Sequence, residues 1–385
     1  MRVLVLGRGL PGPGQPLLGI FEFQQARALA AAGHQVVYGA LDIRFLQHRR
    51  PWGVRHKDVD GVHVVELSLP LGRLQYRLGY RFVHAMWEVL YLACVTKHGR
   101  PDVVHSHFVG WSAAAARGRR RHHYPLVVTE HTSRLMSPDP PADMLRGIAI
   151  AYAGADVLIA VSPGLQARIA ELTGYRAVYV PNLVDAKTFA SVEPIPHDRP
   201  RVVTVGNLIP RKRVDALLEA IARVSQEDPH SPVAAAELVV IGHGPQEGEL
   251  RDLARRLGLA DRVRFEGGLS HPQIAAEFAR SDLFVLASRE ETFGVVLIEA
   301  MAAGLPVVST RSGGPEGFVT EHTGVLTGHE IADIAAGLQA GLTRSWDREQ
   351  IREYAVRHHS PEVVSAQLTE LYGEAVARMR RRRSC

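Results

Sequence analysis

Two glutamates eight positions apart set the first chemical question. The stretch SREETFGVVLIEAMAAGLPVVSTRSGGPEG (288–317) continues the apolar run DLFVLAS with a loop holding Glu290 and Glu291, and Thr292-Phe293-Gly294 then opens an apolar helix. Backbone N–H groups at a helix start lack partners and carry the positive end of the helix dipole. Those of Phe293, Gly294 and Val295 are therefore the expected seat of a diphosphate, with Gly294 letting the backbone come close. Glu299 follows among Leu297, Ile298 and Ala300, which read as buried. A buried carboxylate needs donors, and the vicinal hydroxyls of a ribose would give it two charge-assisted hydrogen bonds. The plainer reading pairs it with an arginine.

Cations come from another loop. VTVGNLIPRKRVDALLEAI (203–221) runs from a strand through Asn207, Arg211, Lys212 and Arg213 into a helix headed by Asp215. Three cations at a strand end suit a departing pyrophosphate; a solvated loop is the bland alternative. The GHGPQEGE turn (242–249) is a weak nucleotide signal, since strand-to-helix turns favour glycine for backbone reasons. His105-Ser106-His107 with His131 forms a three-histidine set that a metal-dependent hydrolase could use. No later strand ends offer the further His and Asp ligands that such an enzyme needs. Asp58-Val59-Asp60 reads as a turn before GVHVVEL.

The elements that must position these residues alternate. RVLVLG, HQVVYGA, GVHVVELSL, PDVVHSHF, YPLVVTEHT, ADVLIAVS and AVYVPN are short apolar runs, most of them separated by helical stretches; the pattern restarts at RVVTVGN and continues through AELVVIG, RVRFEG, DLFVLAS, LPVVST and GVLTG. Short apolar strands alternating with helices predict parallel sheets covered on both faces. Between the two series the period breaks around Pro194, Pro196 and Pro200. The expected division is a first doubly wound domain over 1–185, a linker over 186–200, a second over 201–358, a helix over 359–378 returning to the first domain, and a basic tail over 379–385.

A chain of 385 residues fits two such domains at roughly 100–200 residues each. With 46% hydrophobic and 22% charged residues it is neither disordered nor a membrane bundle, and no apolar run approaches the ~20 residues that span a bilayer. The expected place is the cytoplasm. Cys94 and Cys385 are too few for a disulfide framework or a cysteine-rich zinc site, and are expected as free thiols. Charge is uneven: residues 1–190 hold 22 basic and 13 acidic side chains, and residues 191–385 hold 23 and 27. The first half is thus a candidate for peripheral contact with an anionic inner membrane face. The Arg117–His123 and Arg380–Arg383 runs are expected as solvated faces; neither has the interleaved aromatics that nucleic-acid stacking requires, so no nucleic-acid partner is expected.

Taken in order, VGNLIPRK, VVIGHGP, VRFEGGL, VLASREETFGVVLIEAMAAGLPVV and GGPEG resemble the retaining nucleotide-sugar glycosyltransferases of family 4, the bacterial group 1 enzymes of GT-B fold. GIFEFQQARALAAAGHQV, DVVHSHF and TEHTS carry the resemblance, less densely, into the first half. It implies two Rossmann-like domains facing across a cleft, a nucleotide-sugar held mainly by the second, an acceptor (polysaccharide, lipid-linked or small molecule) held by the first, and transfer of a hexosyl or acetamidohexosyl group with retained configuration. Glu291 and Glu299 match the family's Glu-x7-Glu acids, the first on the donor sugar and the second on the ribose. Lys212 matches the phosphate-binding lysine, His131 the first-domain histidine near the reacting carbon, and Gly19 the first-loop glycine near the phosphates. Many members have an arginine where Asn207 stands, and Arg211 is the expected substitute. No metal or other cofactor is expected, and a same-face substitution is the expected mechanism. The alternatives are the metal-dependent hydrolase on His105, His107 and His131, and a GT-B epimerase or sugar-binding protein without transfer.

Overall fold

The computed structural model describes residues 1–12, 18–43, 51–71 and 74–384, the side chains of 74–81, 383 and 384 excepted. Cys385 and residues 13–17 lie outside the described residues. The chain forms two units: one of Met1–Val161, Leu165–Leu183 and Pro361–Cys385, the other of Ser162–Gly164 and Val184–Ser360.

The strands of unit 1 are β1 (Arg2–Gly7), β2 (Gln35–Asp42), β3 (Gly53–Val59), β4 (Val62–Ser68), β5 (Val103–His107), β6 (Leu126–Glu130), β7 (Val157–Ala160) and β8 (Val178–Tyr179). They pair in the order β3-β4-β2-β1-β5-β6-β7-β8. All pairs are parallel except β3 with β4, which form an antiparallel hairpin. Its turn is Asp60-Gly61, both at positive φ (51° and 79°), the conformation an Asp-Gly hairpin favours. Asp58 is therefore on a strand rather than in a turn; its carboxylate pairs with His63 Nδ1 at 2.5 Å, while Asp60 pairs with Arg27. The sequence reading passed over β3 because GVRHKDV is a polar edge strand without an apolar run.

Helix Pro361–Ser384 belongs to unit 1. Val364, Leu368, Leu371, Tyr372 and Ala375 recur at helical spacing and are buried in one cluster with Val3, Val5, Phe23, Leu29, Val127 and Ile159. The basic runs are not purely solvated. Arg119 reaches the buried Asp156 carboxylate at 2.7 Å, and Arg382 lies 3.5 Å from the same group. Asp156 needs these partners, since an unpaired buried carboxylate is costly.

Unit 2 has β9 (Arg201–Val205), β10 (Glu237–Ile241), β11 (Val263–Gly267), β12 (Leu283–Leu286), β13 (Val307–Thr310) and β14 (Gly324–Thr327). They form a parallel sheet in the order β11-β10-β9-β12-β13-β14. Strand order reverses beside β9, so its C-terminal end is the switch point at which α/β sheets bind ligands.

Residues 186–200, expected as a linker, are part of unit 2. Asp185 caps the single turn Ala186–Phe189 by accepting from Thr188 N–H. Phe189 is fully buried, its ring 5.9 Å from that of Phe278, and Ile195 N–H donates to Ala279 O at 2.7 Å. One aromatic anchor among prolines and charges leaves no periodic signal.

Candidate active site

In unit 2 the loops after β9 and β12 meet at the switch point. Arg289 N–H donates to Arg211 O at 2.8 Å, and Glu291 N–H to Ser312 O at 2.8 Å, so backbone bonds fix the loop at Arg289 and at Glu291 itself. Lys212 ends the 3-10 turn Pro210–Lys212, and its Nζ lies 2.5 Å from Glu291 Oε1. Arg211 Nη1 is 2.5 Å from Glu290 O and 3.7 Å from Glu291 Oε2. Burial works to raise the Glu291 carboxyl, but Lys212's charge and hydrogen bond, with Arg211, outweigh it and hold the acid below its usual range. Glu291 is therefore ionised. Asn207 is exposed at the end of β9, where it cannot replace a cation; Arg213 turns away, donating to His329 O at 2.6 Å.

Gly294 is the left-handed N-cap of helix Val295–Ala302, with φ 94° and ψ 57°, a region that non-glycine residues rarely enter. Among the described residues the N–H groups of Phe293, Gly294 and Val295 have no backbone acceptor. The Phe293 ring is buried against Phe318 and His359, which anchors this helix start from behind. The loop thus presents donors where the helix dipole favours an anion.

Glu299 lies on the same helix and is buried, without an arginine partner among the described residues. Burial, and then the charge of Asp185, push its carboxyl up to about 8. His271 Nε2 is 3.7 Å from Glu299 Oε1, a distance compatible with an ion pair. Burial also lowers His271, however, so near neutral pH the two are predominantly uncharged neighbours. Sequence reasoning missed Asp185 and His271: the first caps a single helical turn and the second opens a short helix, and at an element's end no period marks a buried face. Two acids on one loop and helix are thus in opposite states, Glu291 charged and Glu299 largely neutral.

Unit 1 gathers a second set. Gly19 caps helix Ile20–Ala31 at φ 68°, and a Cβ there would come within 2.3 Å of Gly9 O. His131 follows β6 directly. The Glu130 carboxylate accepts from the His131 and Thr132 N–H groups and from Tyr152 OH, which fixes the turn that carries the imidazole. Burial, then Arg8 and His105, lower His131 to about 3, so its ring is neutral. His107 Nδ1 is 3.0 Å from His131 Nε2.

Two family models match the chain, Glycosyl transferases group 1 over residues 185–358 and Glycosyltransferase Family 4 over residues 23–188. The D-inositol 3-phosphate glycosyltransferase of Salinispora tropica is 32% identical over 376 residues, covering 85% of this chain and 75% of that one. The chain is a family 4, group 1 glycosyltransferase. The GDP-mannose-dependent alpha-(1-6)-phosphatidylinositol monomannoside mannosyltransferase of Mycobacterium tuberculosis is 32% identical over 251 residues, 58% of this glycosyltransferase and 64% of that protein. Among solved structures, sucrose-phosphate synthase from Thermosynechococcus elongatus superposes with a TM-score of 0.80 at 22% identity, covering 98% of this chain and 99% of that one. Anabaena HepE in complex with UDP and glucose gives 0.71 at 20%, covering 97% and 99%. These likenesses show the GT-B fold.

The hydrolase alternative loses its ligand set. His105 has both ring nitrogens engaged, Nδ1 with Tyr372 OH and Nε2 with Thr129 Oγ1, each at 2.7 Å. Among the described residues no three His, Cys, Asp or Glu side chains are placed to hold one ion. Nor is any helix among them long and apolar enough to cross a membrane.

Proposed function

We propose that this glycosyltransferase moves a hexosyl or acetamidohexosyl group from a nucleotide-sugar to an acceptor hydroxyl, with retained anomeric configuration and without a metal. The observation that carries the donor assignment is the opposite electrostatic state of Glu291 and Glu299 beside a helix start whose N–H groups have no backbone acceptor among the described residues. In this reading the diphosphate rests on the N–H groups of Phe293, Gly294 and Val295, with Lys212 and Arg211 neutralising it. Glu299 accepts from the ribose and Glu291 from the sugar hydroxyls. Gly19 and His131 are unit 1's contributions, and unit 1 receives the acceptor.

Glu291 is tied to Lys212 and is a poor nucleophile for a double displacement, which supports a same-face substitution. The bond from the anomeric carbon to the phosphate oxygen breaks, the bond to the acceptor oxygen forms on the same face, and the acceptor proton passes to the leaving phosphate. Relatives are named for inositol phosphates as acceptors and GDP-mannose as a donor, and HepE holds UDP and glucose. We carry to this chain a phosphate-bearing polyol as acceptor. The basic first half supports an attendant contact with anionic membranes, read as salt-sensitive sedimentation with anionic vesicles.

The test is product stereochemistry. UDP-, GDP- and ADP-sugars are screened by thermal shift, a ligand at 100 times its Kd adding about 2.7 kcal/mol. The retained donor is then turned over in EDTA, and the new linkage is read by NMR. An α-linked product from an α-linked donor at undiminished rate is expected. An inverted product, or activity lost in EDTA and restored by Mg²⁺ or Mn²⁺, contradicts the reading.

A further inference from the structure

Three neighbouring strands of unit 1, β1, β5 and β6, are followed directly by Arg8, Phe108 and His131. The Arg8 guanidinium lies 3.6 Å over the centre of the Phe108 ring, whose other ring neighbour, His131, is 4.9 Å away between centroids. Phe108 holds this position at φ 62° and ψ 142°, in backbone space that a bulky residue adopts only under constraint. Arg8 Nε donates to Glu22 Oε1 at 3.0 Å, and the Glu22 side chain is fully buried.

One edge of the guanidinium is thus fixed by a buried carboxylate and one face by a ring. Its two Nη groups have no partner among the described residues, and the side chain remains 38% exposed. Immobilised forks of this kind recognise two oxygens of a phosphate at once, which a lysine cannot do. Lys212 and Arg211 already share a carboxylate; Arg8 offers Nη donors that no described residue uses.

We propose that Arg8, set by Glu22 and Phe108, is the residue of unit 1 that binds a phosphate group carried by the acceptor. The inference rests on the reading that unit 1 receives the acceptor. It assigns the phosphate to a residue outside the family motifs, and so makes acceptor charge, rather than the sugar ring alone, a determinant of specificity.

The test uses the full chain saturated with the nucleotide retained in the thermal-shift screen, which occupies the phosphate donors of unit 2. Calorimetry then compares D-myo-inositol 3-phosphate with myo-inositol, and vesicles with and without phosphatidylinositol separate a lipid-borne from a free phosphate. The phosphate form binds at least tenfold tighter than inositol to the native protein. Arg8→Ala abolishes that preference while nucleotide binding is unchanged, and Arg8→Lys restores only part of it. Because Arg8→Ala strands Glu22, the double variant Arg8→Ala/Glu22→Gln is measured beside it and gives the same loss. A native protein that binds the two probes equally or neither, or an Arg8→Ala variant that keeps the preference or loses nucleotide affinity, overturns the proposal. If no nucleotide stabilises the native chain, the donor reading itself has failed, an outcome distinct from a lost phosphate preference.

Discussion

Lys212 Nζ and Glu291 Oε1 lie 2.5 Å apart across 79 residues of sequence. The cation read from sequence as a phosphate ligand is, in the unliganded protein, the counter-ion of the acid assigned to the donor sugar. The two residues should therefore act as one unit. Lys212→Ala is expected to lower turnover on the order of 10²-fold, the loss of one preorganised charge donor. Combined with Glu291→Gln it should cost much less than the product of the single losses, because each variant already breaks the pair. Kinetics of the two single variants and the double variant check this; full additivity would separate the residues.

Nucleotide affinity should depend on pH through Glu299. Its carboxyl stands at about 8 in the free protein, raised by burial and by Asp185, with His271 as its nearest base. Ribose hydroxyls donating to the carboxylate favour the ionised form, so binding releases a proton below that pKa and tightens as pH rises from 6 to 8, by at most tenfold per unit. Without ligand the sign is opposite: as pH climbs through the same range the carboxyl ionises in the unfolded chain while the buried one stays protonated, so stability falls until about pH 8. Calorimetry in two buffers of different ionisation enthalpy counts the proton. Glu299→Gln should release none.

Phe189 tests the architecture. Its ring is fully buried beside Phe278, so Phe189→Ala should destabilise unit 2 by about 3–5 kcal/mol, read from denaturant unfolding. A free linker would lose about 0.5 kcal/mol or less.

The doubly wound sheets were legible because parallel strands buried on both faces are continuous apolar runs, as in VVTV at β9 and LFVL at β12. The loop and helix that carry Glu291, Gly294 and Glu299 were legible too, since a loop acid, a helix-start glycine and a buried acid keep their order along one segment. What escaped were relations between distant segments. Nothing in PNLVD says that Asp185 faces Glu299, nothing in GLSHP that His271 does, and nothing in RVLVLGRG that Arg8 lies over Phe108. Such pairs are set by strand order, which local pattern does not encode.

The most direct test of the account lies in the division of labour between the two glutamates. The retained donor and its free nucleotide are titrated by calorimetry into Glu291→Gln and Glu299→Gln beside their kcat values. A ribose ligand binds ground and transition states alike, so Glu299→Gln should weaken nucleotide and nucleotide-sugar to a similar extent. A ligand of the sugar meets a ring whose charge grows as the phosphate leaves, so Glu291→Gln should depress kcat and leave free-nucleotide affinity nearly unchanged. Loss of free-nucleotide affinity in Glu291→Gln, with none in Glu299→Gln, would contradict the assignment.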